Sequence, residues 1–161
     1  MELRPATLED AVALRAIYNP YVESTSVTFD VRGRTLDEQS RWLRDHLGAY
    51  PVVVAAEGSR LVGYASLSPW REKAAYRTSV EDSVYVAAER HRRGIGRLLL
   101  AEILAAGADH GFHAVFARIV GGHEASIALH LEQGFDIVGT EREVGRKFNR
   151  WLDVVVMQKL L

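Results

Sequence analysis

The chain has 161 residues, 20 basic and 21 acidic side chains, a formal net charge of −1 and no cysteine. This balance excludes the whole-molecule field that draws proteins to nucleic acid or to an anionic membrane, and the lack of thiols excludes a disulfide framework, a thiolate nucleophile and a Cys-based zinc site. An apolar content of 48% with 25% charged residues suits one globular domain over 1–161, and with no signal-peptide core in MELRPATLED and no apolar run of spanning length, a cytoplasmic protein is expected.

Glu2 to Arg4 predicts a short strand closed by Pro5. Thr7 reads as a helix N-cap with Glu9 and Asp10 in the first turn, and Leu8, Ala11, Leu14, Ile17, Tyr18 and Tyr21 make one apolar face. Asn19-Pro20 is expected to break that helix near its end. Ser24 to Asp30 is polar apart from Val27 and Phe29. Tyr18, Tyr21 and Phe29 read as packing residues, since aromatics at helical spacing usually pack. Thr35 and Glu38 form a capping box that opens a second helix to about Leu47, with Gly48 as its stop.

Pro51 to Glu57, a Gly58-Ser59 turn and Leu61 to Leu67 predict an antiparallel hairpin, followed by the charged aromatic loop Trp70 to Arg77. Arg77 to Val86 resumes a strand whose alternation puts Val80, Asp82, Val84 and Val86 on one face and Ser79, Glu81, Ser83 and Tyr85 on the other. Adjacent carboxylates are depleted in strands, which gives Glu81 and Asp82 a functional reading. A strand over His113 to Val120, a helix over Glu124 to Gln133 ended by Gly134, and strands over Asp136 to Arg146 and Trp151 to Lys159 complete the chain. The order β-α-α-β-β-β-α-β-α-β-β predicts an α/β fold with a mixed sheet of about seven strands.

The stretch Val84 to Leu100, VYVAAERHRRGIGRLLL, runs from an apolar strand end through a polar turn into Gly94 and Gly96 and an amphipathic helix. Glycines there let backbone amides approach a ligand, and the unpaired amides of a first helical turn attract phosphate, with Arg92, Arg93 and Arg97 adding positive charge. Spacing excludes two familiar phosphate loops. No Lys follows Gly96, as a Walker loop needs, and Leu99 stands where a dinucleotide loop has its third glycine.

The stretch resembles the acyl-CoA signature of the GNAT family of N-acetyltransferases, Q/R-x-x-G-x-G/A, which falls on His91 to Gly96 with His91 departing from Gln or Arg. The order of elements is also that family's, and implies a GNAT-type, mostly antiparallel seven-stranded sheet flanked by about four helices. Within the family the chain looks most like the phosphinothricin and methionine sulfoximine N-acetyltransferases. That narrower match rests on Pro69-Trp70-Arg71, Ala75-Tyr76-Arg77, Val80-Glu81, Ser83 to Val86, Glu124 to His130, Gly134-Phe135, and Gly145 followed by Lys147-Phe148, Arg150-Trp151 and Asp153.

The resemblance implies acetyl-CoA as co-substrate, with no metal. Val84, Tyr85 and Val86 are then expected to offer backbone groups to its pantetheine arm, and Arg92, Arg93, Gly94, Ile95, Gly96 and Arg97 to cradle its pyrophosphate. Ser126 is expected on the cofactor as well, and His123 stands where the family usually has a cofactor-contacting Asn. Arg71 would hold a substrate carboxylate, with Phe29, Tyr76, Phe148 and Trp151 walling the pocket. A homodimer is implied, with Phe29 and Phe148 close to the subunit boundary.

Chemistry narrows the catalyst. An α-amine with a pKa of about 8 is mostly protonated at neutral pH, so attack on a thioester needs a proton acceptor. Glu81 stands where the resembling enzymes carry their general base, and His130 stands where much of the wider family has the Tyr that protonates the leaving thiolate. Arg71, Lys73 and Arg77 beside Trp70 and Tyr76 suit an acceptor that carries a negative group. The predicted activity is acetylation of the α-amine of a small amino-acid analogue. The alternatives are acetylation of another small amine or a protein N-terminus, and a non-catalytic acyl-CoA sensor, which would need no Glu81.

Overall fold

Seven strands form one sheet in the computed structural model, which describes residues 1–161. They are β1 (Glu2–Pro5), β2 (Val52–Glu57), β3 (Arg60–Pro69), β4 (Ser79–Val86), β5 (Ala114–Val120), β6 (Asp136–Lys147) and β7 (Arg150–Leu160), in the spatial order β1-β2-β3-β4-β5-β7-β6. Every neighbouring pair is antiparallel except β4 and β5. The helices are α1 (Ala11–Ser24), α2 (Leu36–His46), α3 (Ile95–Asp109) and α4 (Glu124–Glu132).

Strand alternation divides the core between the two faces of the sheet. On one side Val53, Ala65, Leu67, Val80, Val115 and Ala117 pack with Ile95, Leu99, Leu100 and Ile103 of α3. On the other, Val52, Val54 and Tyr64 pack with Leu14, Ile17, Tyr18 and Val22 of α1 and Leu43 of α2. Burial follows the face assignment of β4 except at Val84: Val80, Asp82 and Val86 are buried, while Ser79, Glu81, Ser83, Tyr85 and also Val84, which borders the cavity, are only partly so.

The feature that positions the site is a fork in the sheet. β4 and β5 pair only where Ser79, Val80 and Glu81 meet Ala114, Val115 and Phe116. Beyond Glu81, β3 stays on β4 as far as Val86, and β7 stays on β5 as far as Val120. The two halves therefore part from Asp82 onward.

The expected break at Asn19-Pro20 does not occur. α1 continues through Pro20 to Ser24, because tertiary contacts outweigh the local preference. Val22 beyond the proline is buried in the core, and the Asn19 side chain grips Arg34 from both sides, donating to its carbonyl at 3.0 Å and accepting from its N–H at 2.9 Å. The Thr35 and Glu38 capping box is present as expected, with the Glu38 carboxylate accepting from Thr35 N–H at 2.8 Å.

Candidate active site

The fork opens into a cavity of about 790 Å³ lined by β4, β5, the loop after α1, and the start of α4. Because Ala87 N–H bonds the Val62 carbonyl, the odd-numbered residues of β4 spend their backbone groups on β3. Val84 and Val86 therefore turn theirs toward the fork, where no β5 residue pairs with them. The Val86 carbonyl accepts from the Tyr21 hydroxyl and from His91 Nε2, the latter at 3.0 Å. This leaves both backbone groups of Val84 and the N–H of Val86 facing the gap.

α3 begins beside that gap. Its N-cap, Gly94, is left-handed with φ 77°, and no side chain caps the first turn. Arg92 is also left-handed, with φ 60°. A built Cβ at Gly96 would lie 3.6 Å from Leu129, 3.9 Å from Val86 and 4.0 Å from Val84. Gly96 thus places the uncapped amides of Ile95, Gly96 and Arg97 next to the free backbone of β4. This donor set of strand groups, helix amides and nearby arginines fits an acyl-CoA: extended amides pair with the arm, and the helix end takes the pyrophosphate. Arg93 is less available, since its guanidinium lies 3.8 Å from Glu57. His91, the departure from the signature, ties the loop to the end of β4 through Val86 and through Tyr21, whose hydroxyl is 2.6 Å from Nε2. His123 and Ser126 line the cavity, and burial pushes the His123 imidazole below its ordinary pKa.

Glu81 lines the same cavity. Burial raises its carboxyl to about 7, with Asp82 and Glu141 adding to the rise and Arg118 opposing it. Arg118 sits two residues beyond Phe116, the β5 partner of Glu81, and so shares its face. Its guanidinium is held by Glu141, with Nη2 at 2.7 Å. On the other side Ser68 is opposite Glu81, and the Ser68 hydroxyl lies 2.8 Å from His46 Nε2.

Asp82 and His130 form a pair on the opposite face. His130 Nε2–H donates to both Asp82 oxygens, at 3.1 and 3.3 Å, and Nδ1–H donates to the Ser126 carbonyl at 2.7 Å. A carbonyl and a carboxylate both accept, so the arrangement favours a proton on each ring nitrogen, the imidazolium form. Burial pushes its pKa down, but the hydrogen bond and charge of Asp82 with the Ser126 carbonyl outweigh it, and the net shift is upward.

Phe29 reaches the cavity, but Arg71, Tyr76, Phe148 and Trp151 do not line it. Arg71 is exposed, over the rings of Trp70 at 5.1 Å and Tyr76 at 6.0 Å. Trp70 stacks flat on Phe116 at 4.1 Å, which keeps this group next to the Glu81 end of the cavity. Phe148 and Trp151 are exposed on the β6–β7 hairpin. Tyr18 and Tyr21 read as packing residues in the sequence, and Asp30, Arg34, Trp42 and Arg118, which also line the cavity, were not assigned to the site by any signal. Only Arg118 had a findable one, as a charge two residues from Phe116 in an otherwise apolar strand. No three His, Asp or Glu side chains are grouped to hold a metal ion, and no helix is long and apolar enough to cross a membrane.

Comparison with known proteins shows the family. The family model "Acetyltransferase (GNAT) domain" matches residues 3–156. The chain is 45% identical to the phosphinothricin N-acetyltransferase of Streptomyces coelicolor, covering 100% of this chain and 96% of that one. It is 36% identical to the L-methionine sulfoximine/L-methionine sulfone acetyltransferase of Pseudomonas aeruginosa, covering 97% and 92%. Among solved structures, a ribosomal-protein-alanine N-acetyltransferase from Brucella melitensis superposes with a TM-score of 0.98 at 43% identity, over 100% of both chains. A putative acetyltransferase from Salmonella typhimurium, solved with its cofactor acetyl-CoA, gives 0.96 at 36% identity over 99% and 93%. A sheet forked between β4 and β5, an uncapped glycine-rich helix start at the fork, and these matches over almost the whole length make the chain a member of the GNAT family of N-acetyltransferases.

Proposed function

We propose that the protein transfers the acetyl group of acetyl-CoA to the α-amine of a small amino-acid analogue of the phosphinothricin, methionine sulfoximine or methionine sulfone type, with Glu81 as general base. The observation that carries this reading is Glu81 itself, a partly buried carboxyl raised to about 7 in the cavity where the fork's free backbone groups end. A base with that pKa is ionised in part at neutral pH, takes the proton that the neutral amine sheds as it attacks the thioester, and can release it again to solvent. Acetyl-CoA, when bound, supplies the thioester. Val84 and the first turn of α3 fix its position, and Glu81 takes the proton from the amine directly or through a water. The sensor alternative gives Glu81 no task.

Arg71, at the Trp70 and Phe116 end, is assigned to the acceptor's α-carboxylate, which turns the amine toward Glu81. His130 is assigned to positioning rather than to proton transfer, because its two N–H groups are spent inside the protein and its side chain is only 5% exposed. The exposed Phe148, Trp151 and Val144 of the β6–β7 hairpin support a homodimer.

The test is a CoA-release screen across amino acids, their analogues and the corresponding decarboxylated amines. Wild type should use the α-amino acids and neglect the decarboxylated amines. Arg71→Lys should lose about tenfold or more in kcat/KM although charge is kept, because a lysine cannot make the bidentate pair. Equal use of decarboxylated amines would remove the clamp and favour another amine acceptor.

Cofactor binding has its own test. Alanine at Gly96 meets only ordinary van der Waals distances, whereas the γ-methyls of valine enter the gap toward Val84 and Val86. Gly96→Val should therefore weaken acetyl-CoA about tenfold or more by calorimetry, with Gly96→Ala close to wild type. Unchanged affinity in a folded Gly96→Val protein would place the cofactor elsewhere.

A further inference from the structure

We infer that Arg34 receives an oxyanion at the end of the acceptor's side chain, so that amino acids with an anionic head, a phosphinate or a γ-carboxylate, are preferred over neutral-headed ones of the same shape. The inference deepens the acetyltransfer reading above and rests on it.

Arg34 is built into the acceptor side of the cavity. Its guanidinium lies over the ring of Tyr18 at 4.1 Å and that of Trp42 at 5.1 Å, and its side chain is 20% exposed. The ring faces attract the cation, and the two hydrogen bonds from Asn19 fix the backbone beneath it. The group is thus held in place before any ligand arrives.

Its hydrogen-bonding capacity is almost unused. Of five N–H donors, one reaches Gln39 Oε1 at 3.2 Å. Asp30 stands 3.9 Å away, beyond hydrogen-bond range, and its nearest oxygen already accepts from the Tyr18 hydroxyl. The other lining charges are committed or lie elsewhere. Arg118 is paired with Glu141, Asp82 is paired with His130, and Glu124 is on the α4 wall. Lys147, buried with its ammonium donating to the Thr28 carbonyl at 2.9 Å, lies within the field of Asp30. Asp30, the carboxylate of this wall, is therefore shared between Arg34 and the field of Lys147, which itself does not line the cavity. A half-buried guanidinium with open donors suits a planar or tetrahedral oxyanion.

Register gives the reach. Tyr85 lies four residues beyond Glu81 on the same face of β4, about 13 Å along the strand, and Tyr18 packs edge-on against it at 5.1 Å. Arg34, stacked on Tyr18 and Trp42, lies within the field of Tyr85 and also of His46, so its guanidinium stands within that span of Glu81. An acceptor whose amine sits about 3 Å from Glu81, whose extended side chain carries an oxygen about 6 Å from the amine, and whose oxygen meets a guanidinium at about 3 Å spans nearly the same length. The α-carboxylate is too close to the amine to bridge that distance and is left to Arg71, on the other side of Glu81.

The experiment measures kcat/KM by thiol release for phosphinothricin and for methionine sulfone, in wild type and in Arg34→Gln, with acetyl-CoA binding followed by calorimetry. Wild type should prefer phosphinothricin. Arg34→Gln should lower its kcat/KM about 10- to 100-fold and leave that of methionine sulfone and the acetyl-CoA affinity nearly unchanged, with Arg34→Lys recovering part of the loss. Equal losses for both acceptors, or no loss for either, overturn the role of Arg34 while leaving acetyl transfer intact. Turnover of neither acceptor by wild type overturns the acetyltransfer reading for this class, and the inference with it.

Discussion

Replacing Glu81 with glutamine is expected to lower kcat/KM about 10²- to 10⁴-fold, the usual worth of a positioned general base, with acetyl-CoA binding unchanged. The amide keeps the shape of the carboxylate and removes only its ability to take a proton. The pH profile separates this role from a steric one. Glu81 acts when ionised, and burial has moved its ionisation to about 7, while the acceptor amine must be neutral, with a pKa of about 8. Wild-type log kcat/KM should rise with a slope of two below both values, whereas Glu81→Gln should rise with a slope of one.

Stability supplies the control. The folded pKa of Glu81 is raised, so the folded protein binds this proton more tightly than the unfolded chain does. Ionisation therefore destabilises the fold as pH climbs through about 7. Glu81→Gln should be at least as stable as wild type at pH 8, with no such gain at pH 4. Loss of activity without loss of stability then locates the effect in proton transfer. If turnover falls less than about fivefold across the pH range, another proton acceptor serves the reaction.

Alternation alone assigned Glu81 and Asp82 to opposite faces of β4, and the strand, turn and helix order read around Gly94 and Gly96 is the order in the structure. Both are local signals, and each survives folding because it depends on backbone geometry. The fork was not legible, since nothing in the residues of β4 says that β5 will part from it after Glu81. Tyr18 and Tyr21 show a second limit. Their helical spacing says that they turn toward the core, and they do, but the core on that side opens into the cavity, so one residue both packs and lines the site. Arg34 shows a third. It stands one residue before a capping box, where a solvated charge is the ordinary reading, and becomes part of the site only because Asn19, Tyr18 and Trp42 close on it from two helices. Pro20 failed for the same reason, with packing of Val22 and the grip of Asn19 on Arg34 outweighing a local rule.

The largest effect on stability should come from the Asp82 and His130 pair. The two side chains are 4% and 5% exposed, and Phe135 packs edge-on against the imidazole at 4.9 Å, so either charge, once unpaired, is poorly solvated although both residues border the cavity. Removing one partner leaves the other buried alone, at a cost of about 3–5 kcal/mol, or near 10 °C in Tm for a chain of this size. Asp82→Ala and His130→Ala should each show this loss. The double variant should lose clearly less than the sum, because neither charge is then left behind. The sign with pH follows from the raised pKa of His130. A histidine held charged in the fold contributes its stabilisation in full below the unfolded value of about 6.5, and loses it as pH rises through the higher folded value. Urea unfolding of wild type and Asp82→Asn should therefore show a wide gap at pH 6 that narrows by pH 9. The same variants bear on catalysis: His130→Gln, where it folds, should keep most of kcat, since both imidazole N–H groups serve the protein and none is free for a leaving thiolate. Additive losses in the cycle would mean that the two side chains do not act as a pair. A loss of kcat about 10²-fold or more in folded His130→Gln, with KM unchanged, would return His130 to proton transfer.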